Sequence, residues 1–336
     1  MLNHTSSKIL SASNIQKRNI TFLKPLVSTV VSHFLFNKEI VAANQLEYAE
    51  NETDSKTKQN TPITNETDSS EKLYPSHIPL NPISKGLVFL KSSIGSFTSP
   101  SNNININQLG ETFPILSNCW LDYSYKLLLK DDKFDGRDIL MNKPDYRHIL
   151  KDYLYVLEEP ELYSKTLAYQ MLQYLNKNKI TLESREEVHY IDDINHQFVY
   201  NKYRQSHDFH HLIIGDLPTS IEGEIIIKLF EGVNMGLPLG IIGGLLSPLH
   251  LKDGYIIRQL YTKYLPLIID LDQKLKCNML LINWSNYLLK DVDEIRYMIG
   301  GNDLVSFSKW IGDDVRELKK MRKQVVKKQQ QELEEL

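Results

Sequence analysis

His207, Asp208 and His211 write an H-D-x-x-H cluster into a stretch whose apolar and aromatic positions recur at helical spacing. A helix turns about 100° per residue, so positions i, i+1 and i+4 fall within an arc of roughly 100°. Val199, Tyr203, His207, His211 and Ile214 then lie on one stripe, at spacings of four, four, four and three. A stripe of this kind faces a core. It turns two imidazoles inward with a carboxylate beside them, where neutral histidines can hold a divalent metal. Paired histidines on a helix also serve as ordinary core or surface groups, so spacing alone leaves both readings open.

Two glutamates compete for the remaining ligand position. Glu222 follows Thr219 by three residues, which makes T-S-I-E a candidate capping box. If Glu222 caps its own helix, Glu224 is the freer of the two. Glu224 in turn has a second reading, as part of a solvated charged face with Lys228 and Glu231.

The chain around this cluster is globular in composition. Its 336 residues are 41% hydrophobic and carry a formal net charge of −3, so no basic domain points to nucleic acid. Cys119 and Cys277 are the two cysteines, and no CxxC or secreted disulfide pattern exists. A reducing compartment with both thiols in the core is the simpler expectation.

Residues 1–38 contain no Asp or Glu but five Lys or Arg and nine Ser or Thr, the composition of a mitochondrial presequence. Residues 39–79 read as a disordered linker. Within it, N-E-T-D-S occurs at 51–55 and again at 65–69, too polar to offset chain entropy by burial. The helical catalytic domain is expected over 80–310, and 311–336 as a charged helical tail. Between Arg316 and Lys328 that tail has seven basic residues and one acid, which suits solvent, a partner or anionic head groups.

Within the body, Leu87 to Phe97, Ile106 to Leu129, Glu161 to Lys177, Tyr255 to Leu275 and Trp284 to Ile299 read as helices. The third has Leu162, Leu167, Met171, Leu172 and Leu175 as its inner side. Asp192 or Asp193 can cap the helix carrying His207, and Gly215 to Pro218 break the chain after it. Pro266 kinks or ends its helix. Val188 to Ile191 is the only short strand candidate, so the fold class is all-α: one multi-helix domain with a metal site between two helices. Residues 232–249 carry no charge, yet their glycines and prolines argue against an isolated spanning helix. They are expected to line a long apolar groove, or else to pack as a core helix with close backbone contacts.

The phrase Y-R-Q-S-H-D-F-H-H, followed by E-G-E-I-I-I-K-L-F-E-G-V-N-M-G-L-P-L-G-I-I-G-G-L-L-S-P-L, resembles a known family. This is the zinc-containing 4-hydroxy-3-methoxy-5-polyprenylbenzoate decarboxylase of ubiquinone biosynthesis, in its fungal mitochondrial form. The likeness runs from about Leu80 to Val292 and includes Gln108 to Glu111, Tyr261 to Pro266, and Lys290 to Val292. The family's metal motif falls on His207, Asp208 and His211, then Glu224. One departure is visible: twelve residues (212–223) separate His211 from Glu224, where the family has eleven. The Gly-Glu-Ile context aligns Glu224 with the family's ligand, and the extra residue is placed in the 215–218 turn; Glu222 remains the alternative.

The resemblance implies an all-helical fold, a zinc ion, and His207 and Asp208 as catalytic as well as metal-binding residues. It implies a prenylated benzoate as substrate. It places the chain peripherally on the matrix side of the mitochondrial inner membrane, in contact with its lipid and with other ubiquinone-biosynthesis enzymes in a multi-subunit complex. Two His with carboxylates suit Zn2+, and also Fe2+ or Co2+. Zinc is redox-silent and fits simple loss of CO2, whereas oxidative replacement of the carboxylate needs O2 and another metal or partner. Tyr203 and His210 are the nearby proton-donor candidates. The competing classes are a non-catalytic lipid-binding scaffold, and an HD-type phosphohydrolase, for which the flanking ligands and a phosphate loop are lacking.

Overall fold

A computed structural model describes residues 72–98, 103–184, 186–251 and 253–334. The 1–38 leader and the 39–71 part of the linker lie outside the described residues. Residues 73–78, assigned to the linker by composition, are instead fastened to the body. The Tyr74 hydroxyl donates to the Ile191 carbonyl at 2.9 Å and the Ser76 hydroxyl to the Val188 carbonyl at 2.8 Å.

Among the described residues the body is helical and contains no strand; the Val188 to Ile191 candidate is irregular backbone. Its principal helices are α1 (Pro82–Thr98), α2 (Asn103–Thr112), α3 (Pro114–Lys130), α4 (Gly136–Asn142) and α5 (Leu167–Asn178). They continue with α6 (Ile194–Gly215), α7 (Ile221–Met235), α8 (Pro238–Leu246), α9 (Gly254–Gln259), α10 (Leu265–Lys274) and α11 (Val292–Glu334).

Several boundaries differ from the sequence expectation, each for a local reason. Pro114 ends the expected 106–129 helix and opens α3, because residue 113 is held extended before it. The expected 161–177 helix is two pieces, Pro160–Tyr163 and α5, joined through Thr166, which caps α5 by accepting from the Tyr169 amide. Leu162 is consequently exposed and not part of the inner side. A π-turn at Leu260–Tyr264 precedes Pro266, and Trp284–Tyr287 is a separate 3-10 turn ahead of α11.

The helix α6 is buried along nearly its whole length, polar residues included. Asp193 caps its start, accepting from the Asn195 and His196 amides at 2.8 Å each. Its end is a left-handed turn, Gly215 at φ +148° and Asp216 at φ +52°. A Cβ at Gly215 would lie 2.8 Å from the Ser308 carbonyl, so glycine lets α6 meet α11 there. Helix α7 returns beside α6 and crosses α8 where Gly232 and Gly240 abut. A Cβ on Gly240 would come within 2.8 Å of the Gly232 amide nitrogen and the Lys228 carbonyl.

That crossing gives residues 232–249 the close backbone contacts of the second expectation, while Leu246 and Leu249 stay about half exposed. None of the described helices is long and apolar enough to cross a membrane. Of the expected 311–336 helical tail, residues 311–334 continue α11. Helix α11 kinks at Gly301 and then carries Leu304, Phe307, Ile311, Val315 and Leu318 into the core at helical spacing.

Candidate metal centre

The wall facing α7 is built from three successive turns of α6. His207 and His211 stand one turn apart, their Nε2 atoms 3.3 Å from each other. Glu224, in the first turn of α7, lies 3.4 Å from both: Oε2 from His207 Nε2 and Oε1 from His211 Nε2. One ligand atom from each of the three lies within 4.8 Å of the others.

The opposite ring nitrogens are both committed. His211 Nδ1 donates to the Leu217 carbonyl at 3.1 Å, and His207 Nδ1 donates to Glu231 Oε1 at 2.8 Å. These contacts orient both rings so that their Nε2 atoms face Glu224. Second partners on metal-bound histidines act in this way. Two ring nitrogens and a carboxylate converge on one point. The donor set, two imidazoles and one carboxylate with room for a further ligand, fits a divalent ion of the zinc type.

The alternative reading of Glu224 places Glu231 with it on a solvated face. Glu231 is fully buried and gathers three donors: His207 Nδ1, His210 Nδ1 at 2.8 Å and the Tyr203 hydroxyl at 3.1 Å. Burial opposes its charge, yet His207 and His210 outweigh burial and hold its carboxyl at about 2. Burial likewise opposes charge on His207, but Glu231 and Glu224 hold it up to about 10. Glu224, despite burial, is held well below the usual carboxylate range by His211 and His207. Burial lowers His210, against the pull of Glu231.

Asp208 is buried but stands outside the three-residue group. One residue further along a helix is a rotation of about 100°, which turns its carboxylate off the line joining His207 and His211. Glu222 takes neither expected role. Ser220, not Thr219, occupies the N-cap position of α7, and the fully buried Glu222 carboxylate is bound by Arg322 of α11.

In front of the metal ligands lies a pocket of about 190 Å³. Tyr200, Tyr203, Arg204 and His207 of α6, Glu224 and Lys228 of α7, Ile106 and Asn107 of α2, Leu239 of α8 and Glu186 line it. Pockets for drug-sized ligands run to roughly 300–1,000 Å³, so this one has room for a group about the size of one ring. The Gln108–Glu111 phrase packs against two of these residues, Tyr200 and Arg204. Gly110 has no room for a side chain, since a Cβ would strike the Tyr200 hydroxyl, and Glu111 accepts the His189 and Tyr190 amides at 2.8 and 3.0 Å. His210, packed behind Glu231, does not reach the pocket; Tyr203 does.

The family described as coenzyme Q (ubiquinone) biosynthesis protein Coq4 matches residues 74–303. A mitochondrial ubiquinone biosynthesis protein COQ4 of Candida glabrata is 35% identical over 308 residues, covering 88% of this chain and 89% of that one. Its namesake in Scheffersomyces stipitis is 34% identical over 88% of this chain and 89% of its own length. That of Vanderwaltozyma polyspora is 40% identical over 68% of this chain and 64% of its own.

Proposed function

The chain belongs to the Coq4 family of coenzyme Q (ubiquinone) biosynthesis proteins, and from that premise we propose that it is the mitochondrial lyase that removes the C1 carboxylate of 4-hydroxy-3-methoxy-5-polyprenylbenzoate. The observation that carries this reading is the pair of imidazole Nε2 atoms, 3.3 Å apart and facing Glu224, in the wall of a ring-sized pocket.

His207, His211 and Glu224 would hold the ion, with Asp208 added by the family motif. Zn2+ bound there supplies Lewis-acid polarisation of head-group oxygens. Glu231 keeps His207 in the tautomer that ligates. The pocket orients the ring between α2, α6 and α7 and keeps water from it. In the reaction the bond from C1 to the carboxylate breaks, CO2 leaves, and a proton taken up at C1 replaces it. The para hydroxyl assists by allowing C1 to be protonated as a dienone. Tyr203 is the pocket-lining donor candidate, its hydroxyl held on Glu231.

Because the pocket takes a ring only, the prenyl tail stays outside it, in lipid. Ile83, Leu87, Leu90 and Ile94 recur on one side of α1 at spacings of four, three and four and are 56–78% exposed. No acid occurs anywhere in residues 72–110. This face suits peripheral attachment to an anionic bilayer beside the pocket, and the matrix side of the inner membrane, together with other ubiquinone-biosynthesis enzymes, is the proposed setting.

Metal content measured by mass spectrometry on wild type and on His207→Ala, His211→Ala and Glu224→Ala tests the centre. About one ion per chain is expected in wild type and a small fraction of that in each variant. Undiminished metal in all three variants removes the proposed site. Asp208→Ala, run beside them, decides the motif's further ligand: content falling with that of His207→Ala keeps Asp208, and full content excludes it.

A further inference from the structure

Arg204 is an unusual residue to find in this wall. Its side chain is 6% exposed, it lines the pocket, and it stands one helical turn before His207. Its charge has one close partner, Glu111, whose side chain is 1% exposed; Nη1 lies 3.6 Å from Oε1, beyond hydrogen-bond reach. The other carboxylate oxygen, Oε2, already takes the His189 and Tyr190 amides. Nη1 is left fully buried with no hydrogen-bond partner. An unsatisfied buried donor is costly, and more so when charged. Glu111 thus lowers the cost of keeping a guanidinium in this place while leaving Nη1 without a hydrogen bond.

We propose that Arg204 is the pocket's carboxylate receptor, the residue that selects an aromatic acid over the corresponding phenol and sets the ring's orientation toward His207 and Glu224. This rests on the substrate class proposed above and adds the group that reads it. A planar guanidinium pairs with a carboxylate through two parallel N–H bonds, which fixes orientation as well as charge. Lys228, the pocket's other cation, offers a single mobile ammonium. The carboxylate of Glu186 opposes an incoming anion but is held by the Asn107 side-chain amide at 3.0 Å. In this arrangement Arg204 is a positioning residue.

Calorimetric titration of zinc-loaded protein with two ligands tests it: 4-hydroxy-3-methoxy-5-prenylbenzoate with a short tail, and the same prenylated phenol without the carboxylate. Wild type is expected to bind the acid at least tenfold more tightly. Arg204→Gln should remove most of that preference while changing the affinity for the phenol less than about twofold. Lys228→Gln should retain the preference. Because Arg204→Gln leaves Glu111 buried and unpaired, the Arg204→Gln/Glu111→Gln double variant provides a neutral pair, and it should show the same loss of preference. If Arg204→Gln weakens both ligands equally, or if Lys228→Gln is the variant that erases the preference, the assignment of Arg204 falls alone. If wild type binds neither compound, the substrate class falls and the assignment with it.

Discussion

Glu231 sits behind the candidate metal centre and fixes which nitrogen His207 offers. Replacing it by Gln keeps the shape but removes the charge that orients the ring. Zinc affinity, measured by competition with a chromophoric chelator, is expected to drop about 10–100-fold; an unchanged affinity would show that the ring needs no such partner. Lys202, on the same helix as His207, is a different kind of buried charge. Burial presses it down to about 7, against the pull of Asp135, while its Nζ donates to the Ile282 carbonyl at 3.0 Å. The unfolded chain keeps this proton up to about 10.4, so between about 7 and 10.4 unfolding takes up a proton. The cost at this position is therefore full below about 7 and vanishes above about 10.4. Denaturation of wild type and Lys202→Met at pH 7 and pH 10 should show the variant's relative advantage shrinking at the higher pH. A difference independent of pH would contradict a depressed Lys202. The two histidines were legible in the sequence because i and i+4 meet on any helix, whatever packs against it. Glu231 was not. Its spacing of seven from Glu224 puts both on one face of α7, but only the fold reveals that α6 supplies the opposite wall.

Helices were readable from periodicity, but their ends were not, because ends depend on a few caps and prolines. Pro114 and Thr166 divide stretches whose apolar pattern runs on without a break. The uncharged 232–249 run illustrates the limit differently. Its composition serves equally for a groove lining and for a tight crossing, and only the fold reveals the contact between Gly232 and Gly240. Gly240→Ala is expected to destabilise by about 1–3 kcal/mol through overpacking, lowering Tm by about 2–4 °C per kcal/mol for a body of this size. Gly86→Ala, where a Cβ meets nothing within 4 Å, should stabilise α1 by up to about 1 kcal/mol. Equal effects of the two changes would contradict the crossing.

At the scale of the molecule, the C-terminal helix is tied back to the start of α7. Ile311, Val315 and Leu318 are buried, and Arg322 binds Glu222 at the start of α7. Arg322→Ala leaves a buried carboxylate unpaired and should cost about 3–5 kcal/mol, with much of the loss recovered when Glu222→Gln is added. The outer face of α1 is separable from this. Leu87→Glu/Leu90→Glu should abolish sedimentation with vesicles containing about one-fifth anionic lipid, with Tm unchanged; vesicle binding equal to wild type would remove α1 as the attachment face. The account as a whole depends on catalysis at the His207–His211–Glu224 centre. Its most direct test is ring-product and CO2 release by purified, zinc-loaded protein given a short-tailed 4-hydroxy-3-methoxy-5-prenylbenzoate. The expected result is multiple turnovers by wild type and none by folded, metal-depleted His207→Ala. Release by that variant at the wild-type rate would contradict it.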